Sequence, residues 1–420
     1  MYDDTPEEDT GVDGKRCKAL LIGIGGFGKI HANMMKELAG DSKLDIVAFA
    51  EIRPEAYPET YAGLTAAGAA HYADYERMLA EHPEADFAAI ATPIAAHKTM
   101  VIRALRMGFH VLVEKPPAVT VQDLDEMIAV RRESGKRCQV NFQNTSGRAF
   151  RHLLERIGEG ALGTVKHVTG VGMWNRTRSY YERTRWAGKL MCDGEYVLDG
   201  TINNPLAHLL HNSLIVAGGG DASRAAPVRV QAELYHANDI EGDDTSCVRI
   251  ETASGADVHF YGTMCHDNYE SPYIAVSGTE GEALWDYQNN LTIRNRDGET
   301  VLSFGQEELV RNMYVNLIEA IRDDGLPLYA PLEHTRSFVA ASNGAFESSG
   351  AIRAIPSPHY RQMGEGGGAS RHLPDLSERM KDAAGKRLLF SEYGFPWAVP
   401  TKPFPMDGYV RFELPAGMRT

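Results

Sequence analysis

The chain has 420 residues, of which 43% are hydrophobic and 24% charged, with a formal net charge of −14. This is the composition of a globular protein of two or three domains. So acidic a balance offers no electrostatic footprint for nucleic acid or for an anionic membrane surface.

Residues 1–14, MYDDTPEEDTGVDG, are acidic and polar. They lack the basic start and apolar centre of a signal peptide and read as a disordered tail. No apolar run is long enough to cross a bilayer. Cysteines stand singly at 17, 138, 192, 247 and 265, with no C-x-x-C pair. Neither a disulfide framework nor a metal site is indicated, and a cytoplasmic protein is expected.

The first patterned element is an apolar strand at 19–22. It runs into Gly23, Ile24, Gly25, Gly26, Phe27 and Gly28, followed by a helical pattern through Met34, Met35 and Leu38. Gly23, Gly25 and Gly28 have the G-x-G-x-x-G spacing. The first allows the tight turn, the second lets a ligand approach the backbone, and the third lets helix and sheet pack closely. The free N–H groups at the start of that helix face an anion. A second strand, 44–50, ends in Glu51, where a dinucleotide site needs a carboxylate for the ribose hydroxyls. That carboxylate repels a 2′-phosphate, so NAD is expected; Arg53 leaves NADP open.

Helices follow at 56–67 and 75–81, then a strand at 87–91 closed by Thr92 and Pro93. The spacing predicts a helix over 97–107, a strand over 110–113 ending in Glu114 and Lys115, a helix over 121–134 and a strand over 137–142. Thr120 and Asp123 form a variant capping box for the last helix. Alternating strands and helices imply a parallel sheet with right-handed crossovers. The glycine turn, Glu51, Thr92–Pro93, Glu114–Lys115 and Gln143 then share one edge, where ligands bind in such sheets.

Beyond about 147 the texture changes. A helix at 150–158 precedes strand patterns at 165–173, 228–235, 246–251, 257–261, 273–277 and 283–286, separated by turn signals. These imply a mostly antiparallel sheet with one helix-covered face and one open face. Helices are expected at 312–322 and 332–348, and a flexible connector at 363–371, MGEGGGASR. The aromatic, proline-rich remainder reads as a surface strap, a contributor to the site or a subunit contact. The expected division is a tail to 14, a dinucleotide-binding domain over 15–147, an α+β substrate and oligomerisation domain over 148–362, and a linker and extension over 363–420. The open sheet face needs a cover, which predicts a homo-oligomer.

With GIGGFGKIH at 23–31, Ala50–Glu51, ATP at 91–93 with His97, VLVEKP at 111–116 and GTEG at 278–281, the chain resembles the Gfo/Idh/MocA oxidoreductases. These are sugar, inositol and related polyol dehydrogenases with an N-terminal Rossmann domain and a C-terminal α+β sheet domain. The resemblance covers roughly residues 17–350. It implies NAD held by the glycine turn, Glu51, Thr92, Pro93, His97, Glu114 and Lys115, a carbohydrate or polyol substrate, and Lys115 at the nicotinamide as proton donor or acceptor. A lysine desolvated beside a cationic ring has a lowered pKa and suits that role. Glu114 also reads as a residue that positions the lysine.

The family's second motif is usually D-x-G-x-H. Here Asp199-Gly200-Thr201-Ile202-Asn203 stands in its place. Asn203 hydrogen-bonds but does not titrate, so the usual proton partner is in doubt. Asn204 suits a helix N-cap and Pro205 the first helical position. On that helix Asn204, His208, His211 and Asn212 share a stripe. The stripe is either solvated or turned into the site with His208 replacing the missing histidine. No third ligand makes the two histidines a metal site. Trp186, with Arg185, Tyr180 and Tyr181, reads either as a sugar-stacking surface or as loop packing. The resulting catalytic candidates are Lys115, Asp199 and His208, with Asn203 and Trp186 at the substrate. Two other readings stay open: a redox-neutral glycoside-cleaving enzyme of the same fold, and a non-catalytic nucleotide-binding protein.

Overall fold

The computed structural model describes residues 16–419; the stretch 1–14, expected as a tail, lies outside them. The first unit runs β1 (Cys17–Ile22), α1 (Gly28–Gly40), β2 (Leu44–Ala50), α2 (Pro58–Ala66), β3 (Ala70–Tyr72), α3 (Tyr75–Glu81), β4 (Phe87–Ile90), α4 (Ile94–Arg106), β5 (His110–Val113), α5 (Val121–Ser134) and β6 (Cys138–Val140). Its six strands are all parallel, in the order β3-β2-β1-β4-β5-β6. The order reverses between β1 and β4, so their two C-terminal ends frame the crevice where such sheets bind ligands. β1 from Ala19, all of β4 and β5 from Val111 read as unbroken apolar runs because helices cover both faces of the sheet. Helix α4 starts at Ile94, three residues earlier than expected, because Pro93 sits at its cap with an extended ψ. Thr120 caps α5 as predicted, its hydroxyl oxygen accepting from the Asp123 N–H.

The second unit continues with α6 (Arg148–Gly158), β7 (Val165–Asn175), α7 (Arg178–Glu182), the small hairpin β8 (Met191–Cys192) and β9 (Glu195–Tyr196), and α8 (Ala207–Ala217). Then come β10 (Pro227–His236), β11 (Thr245–Thr252), β12 (Asp257–Thr263), β13 (Cys265–Gly278), β14 (Gly281–Asp286), β15 (Asn290–Asn295), β16 (Gly298–Ser303), α9 (Leu309–Arg322), α10 (Thr335–Ser349) and β17 (Ile352–Ala354). The sheet order is β16-β15-β14-β13-β7-β12-β11-β10-β17, antiparallel except where β7 meets β12 and β10 meets β17. Helices α8 and α10 cover one face, with Leu209, Leu214, Phe338 and Phe346 packed on Val168, Val230, Val248 and Phe260. Gly170 and Gly172 let α8 lie close to β7: a Cβ at Gly172 would stand 2.7 Å from Leu206.

Two features depart from the expected layout. Helix α9 and the segment after it return to the first unit. Tyr314, Leu317 and Ile318 share a core with Phe87 and Leu112. Gln139 donates to the Met313 carbonyl at 2.7 Å, and the Val140 N–H to the Ala330 carbonyl at 2.9 Å. The boundary expected at 147 is therefore crossed again by residues 309–331.

The expected flexible connector is instead a hairpin, in which Arg361–Met363 pairs with Ser370–His372. The chain then crosses the other face of the large sheet as helices Leu376–Lys386 and Phe390–Tyr393. Met380, Phe390 and Trp397 pack there on Val171, Tyr235, Cys247 and Tyr261. Fully burying each such side chain contributes about 1.5–3 kcal/mol. The apolar half of the face that was expected to need a second copy is thus covered by the same chain. The other half, toward β14–β16, exposes Glu282, Leu284, Arg294 and Glu299. The last segment runs back across α10 to α5, where Gln122 and Phe412 exchange two hydrogen bonds. Among the described residues no helix is long and apolar enough to cross a membrane.

Candidate active site

The turn after β1 has the conformation its glycines allow. Gly23 has φ +87° and Gly26 φ +54°, a region L side chains rarely adopt. A Cβ at Gly28 would lie 2.5 Å from the Gly23 carbonyl oxygen, so the third glycine is what lets α1 start against the turn. At Gly25 the close neighbour is the ring of Tyr57, 2.3 Å from an added Cβ, whereas Gly26 opens to free space. The N–H groups of Gly25, Gly26 and Phe27 donate to no acceptor among the described residues, which makes the turn a nest for an anion such as a pyrophosphate. Glu51 closes the turn from β2: its carboxylate accepts from the Ile24 N–H at 3.2 Å and the Arg53 N–H at 3.0 Å. The donor set and the half-exposed Glu51 fit a dinucleotide.

Thr92 and Pro93 sit at the end of β4 on the same edge. His97 does not face the crevice. It is buried between two strand-end loops, with Nδ1 2.9 Å from the Pro116 carbonyl and Nε2 2.8 Å from the Thr92 carbonyl, and its neutral ring donates to one of the two. Burial holds its pKa below the ordinary histidine value.

Glu114 is 7% exposed, and its oxygens are spent within the protein. Oε1 meets His31 Nε2 at 2.8 Å and accepts from Asn141 Nδ2 at 2.6 Å; Oε2 accepts from the Lys115 N–H at 3.3 Å. His31 Nδ1 shares a 2.7 Å hydrogen bond with the Tyr314 hydroxyl. Burial would raise the Glu114 pKa, but His31, Asn141 and the Lys115 charge hold it below the usual carboxylate value. Glu114 therefore braces Lys115 through its backbone N–H, with Oε1 committed to His31 and Asn141. His31, Tyr314 and Asn141 were not legible as site residues.

Lys115 Nζ donates to Asn204 Oδ1 at 2.9 Å. Asn204 Nδ2 in turn donates to Asp199 Oδ1 at 3.2 Å, while Asp199 Oδ2 accepts from the Gly188 N–H at 2.6 Å. Asn204 is thus the link between lysine and carboxylate, a role its sequence context concealed. It does not cap α8, which starts at Ala207 with Leu206 at the cap. Burial lowers the Lys115 pKa; Glu114 and Asp199 oppose this, and Arg183 and Arg176 add to it, leaving it below the ordinary lysine value. Burial raises the Asp199 pKa against the bonds from Gly188 and Asn204.

Asn203, expected at the substrate, is 1% exposed. Its Nδ2 donates to the Leu198 carbonyl and its Oδ1 accepts from Ser342 Oγ, so it fixes the loop and has no group left for a sugar. The stripe on α8 is not solvated, because the helix is buried on all sides. His208, 7% exposed, lies close enough to Lys115 for that charge, after burial, to lower its pKa well below the ordinary value. His211 stacks on Phe142 with ring centroids 3.9 Å apart, away from the lysine, and burial lowers its pKa to about 3. Trp186 is half-buried beneath the Arg183 guanidinium, 5.1 Å from its ring centre. A cavity of about 550 Å³ is lined by Tyr181, Gly188, Ile240 and Arg371; Lys115 is not among its lining residues.

Residues 17–142 match the profile described as "Oxidoreductase family, NAD-binding Rossmann fold", and residues 150–284 that of the "GFO/IDH/MocA C-terminal domain". The chain is 25% identical to a D-apiose dehydrogenase of Paraburkholderia graminis over 68% of its own length and 71% of that protein's. It is 27% identical to a glycosyl hydrolase family 109 protein of Saccharopolyspora erythraea, but spans only 41% of that protein. Among solved structures, an NAD-binding oxidoreductase of Klebsiella pneumoniae superposes with a TM-score of 0.68 at 20% identity, covering 80% of this chain and 96% of the other.

Proposed function

Because the chain belongs to the Gfo/Idh/MocA oxidoreductases and carries their NAD-binding Rossmann domain, we propose that it oxidises a secondary hydroxyl of a sugar, polyol or sugar derivative, with Lys115 as the proton acceptor. NAD, when bound, supplies the hydride acceptor. The substrate carbon gives up its hydrogen with the bonding pair, and its oxygen gives up a proton to Nζ, leaving a carbonyl; the reverse reaction returns both.

The observation that carries this reading is the setting of Lys115. It stands at the C-terminal end of β5, two strands from the glycine turn, desolvated and held by a single neutral amide oxygen. A lysine with a lowered pKa is a competent base near neutral pH. Asp199 and Asn204 orient it, and His208 stands beside it to hold the sugar. Glu51 favours NAD over NADP, since a carboxylate at the end of β2 accepts two ribose hydroxyls and repels a phosphate.

The experiment is Lys115→Met assayed with NAD and a panel of sugars and polyols, reading nicotinamide absorbance. The variant should bind NAD as the wild type does and lose turnover by roughly a hundredfold or more. Normal turnover in the variant would remove the chemistry from this site. The same assay separates the redox-neutral reading. A glycoside-cleaving enzyme releases sugar with no net NADH, whereas a dehydrogenase accumulates NADH in proportion to product.

A further inference from the structure

The loop that closes the site over Lys115 carries four arginines at 176, 178, 183 and 185. Two are neutralised locally: Arg178 by Glu182 at 2.6 Å and Arg185 by Asp193 at 2.9 Å. Arg176 and Arg183 pair with no carboxylate among the described residues. These same two arginines are the ones whose charge acts on Lys115.

Their guanidinium groups lie on aromatic faces in an alternating ladder. Arg176 stands 4.9 Å from the Trp174 ring centre and 4.7 Å from that of Tyr180. Arg183 stands 3.6 Å from Tyr180 and 5.1 Å from Trp186. Trp174 is itself stacked on Tyr269. Stacking fixes the plane of a guanidinium and leaves its N–H donors pointing outward from the ring edge. Most of those donors meet no acceptor among the described residues. Arg176 spends one on the Asn175 carbonyl and one on the Tyr180 hydroxyl, and Arg183 one on the Tyr180 carbonyl. Arg176 Nε is buried without a partner, and leaving such a charged donor unmade is costly.

The charge count at the site agrees. With Lys115 as the neutral amine that oxidation needs, Arg176 and Arg183 are set against Glu114, already held by His31 and Asn141, and Asp199, held by Gly188 and Asn204 and within reach of the Arg183 charge. A neutral polyol brings no charge to either guanidinium group. An oxyanion answers them with the planar, charge-assisted pairing that arginine makes best.

We propose that the substrate carries an oxyanion, a carboxylate or a phosphate, seated on Arg176 and Arg183 while Lys115 takes the proton of its reacting hydroxyl. This rests on the dehydrogenase reading above. It would make the two arginines the residues that set substrate class.

The test compares D-glucose, D-glucuronate and glucose 6-phosphate, with the matching alditol and aldonate, on the NAD-loaded protein. Binding is read by calorimetry and turnover by NADH absorbance. At least one anionic compound should bind at least tenfold more tightly than its neutral counterpart; whether carboxylates or phosphates respond names the group. Arg183→Met and Arg176→Met should raise KM for that anion at least tenfold more than for the neutral compound, with a smaller effect on kcat. Arg183 is exposed, so its variant tests the idea without risk to the core. Equal or weaker binding of every anion, or equal losses on both classes, overturns the proposal. Anion binding lost in the arginine variants but without any NADH supports the proposal and sinks the dehydrogenase reading. Turnover of neutral polyols with no anion preference does the reverse.

Discussion

Asn204 joins Lys115 to Asp199, and substituting it should move the pH dependence of turnover in opposite directions depending on the replacement. Alcohol oxidation needs Lys115 as the neutral amine, so the rate rises with pH through its pKa. In Asn204→Ala the oxygen 2.9 Å from Nζ is lost. That oxygen favours the ammonium over the amine, and hydrogen bonds to charged groups are worth about 1.5–3 kcal/mol. Its loss lowers the lysine pKa further and moves the rising limb to lower pH. The same loss frees Nζ to wander, so the plateau kcat should fall about tenfold.

Asn204→Asp puts a carboxylate in the same place. An opposite charge at such range raises a lysine pKa by about 1–3. The low end applies here, because Asp199 lies 3.2 Å from the same side chain and two adjacent carboxylates hold a shared proton. The limb should move about one pH unit toward alkali, and at a fixed pH below it the rate should drop about tenfold. Initial rates of NADH formation across the neutral and alkaline range read both effects. If the two variants shift the limb in the same direction, or leave it where it was, Lys115 is not the group whose titration controls turnover.

Replacing Glu51 with Ala should narrow the gap between NAD and NADP dissociation constants, measured by titration. A gap that stays as wide would place discrimination elsewhere on the β2 edge. The buried His211 imidazole has its pKa lowered from 6.5 to about 3. Between those values the unfolded chain binds a proton that the fold refuses, so the contribution to stability is complete above 6.5 and is lost as pH falls. At pH of about 5 the loss is about 2 kcal/mol, and His211→Phe should reduce the acid sensitivity of Tm accordingly. Parallel Tm curves for wild type and variant would show that the ring is charged in the fold.

The cofactor edge was readable because its signals are local. Three glycines at fixed spacing, an apolar strand before them and a carboxylate at the end of the next strand all lie within about thirty residues. The strand β3 was not readable: Ala70–Tyr72 is three residues long, none of them buried, at the edge of the sheet. Asn204 looked like a cap because Asn-Pro before an apolar helix is a cap pattern, yet its partner is 89 residues away. The same holds for His31, which sits in an ordinary helical pattern and is given its role by Tyr314, 283 residues on. The segment 363–371 has the composition of a linker, but pairing between its two ends orders it, and composition carries no record of pairing. The missing histidine at Asn203 was visible at once. That the α8 histidines are buried against Phe142, and not on a solvated stripe, required the packing of α8.

The segment that packs Met380, Phe390 and Trp397 on the large sheet is tethered to what it covers. A cover supplied by a separate molecule departs on dilution, with an occupancy set by a dissociation constant. A cover on the same polypeptide is held at an effective concentration fixed by the connecting chain, of millimolar order for short tethers, whatever the protein concentration. The apolar patch beneath it therefore stays shielded from nanomolar to crowded conditions, and the way to bare it is to cut the chain between the Ser370–His372 strand and the Leu376 helix.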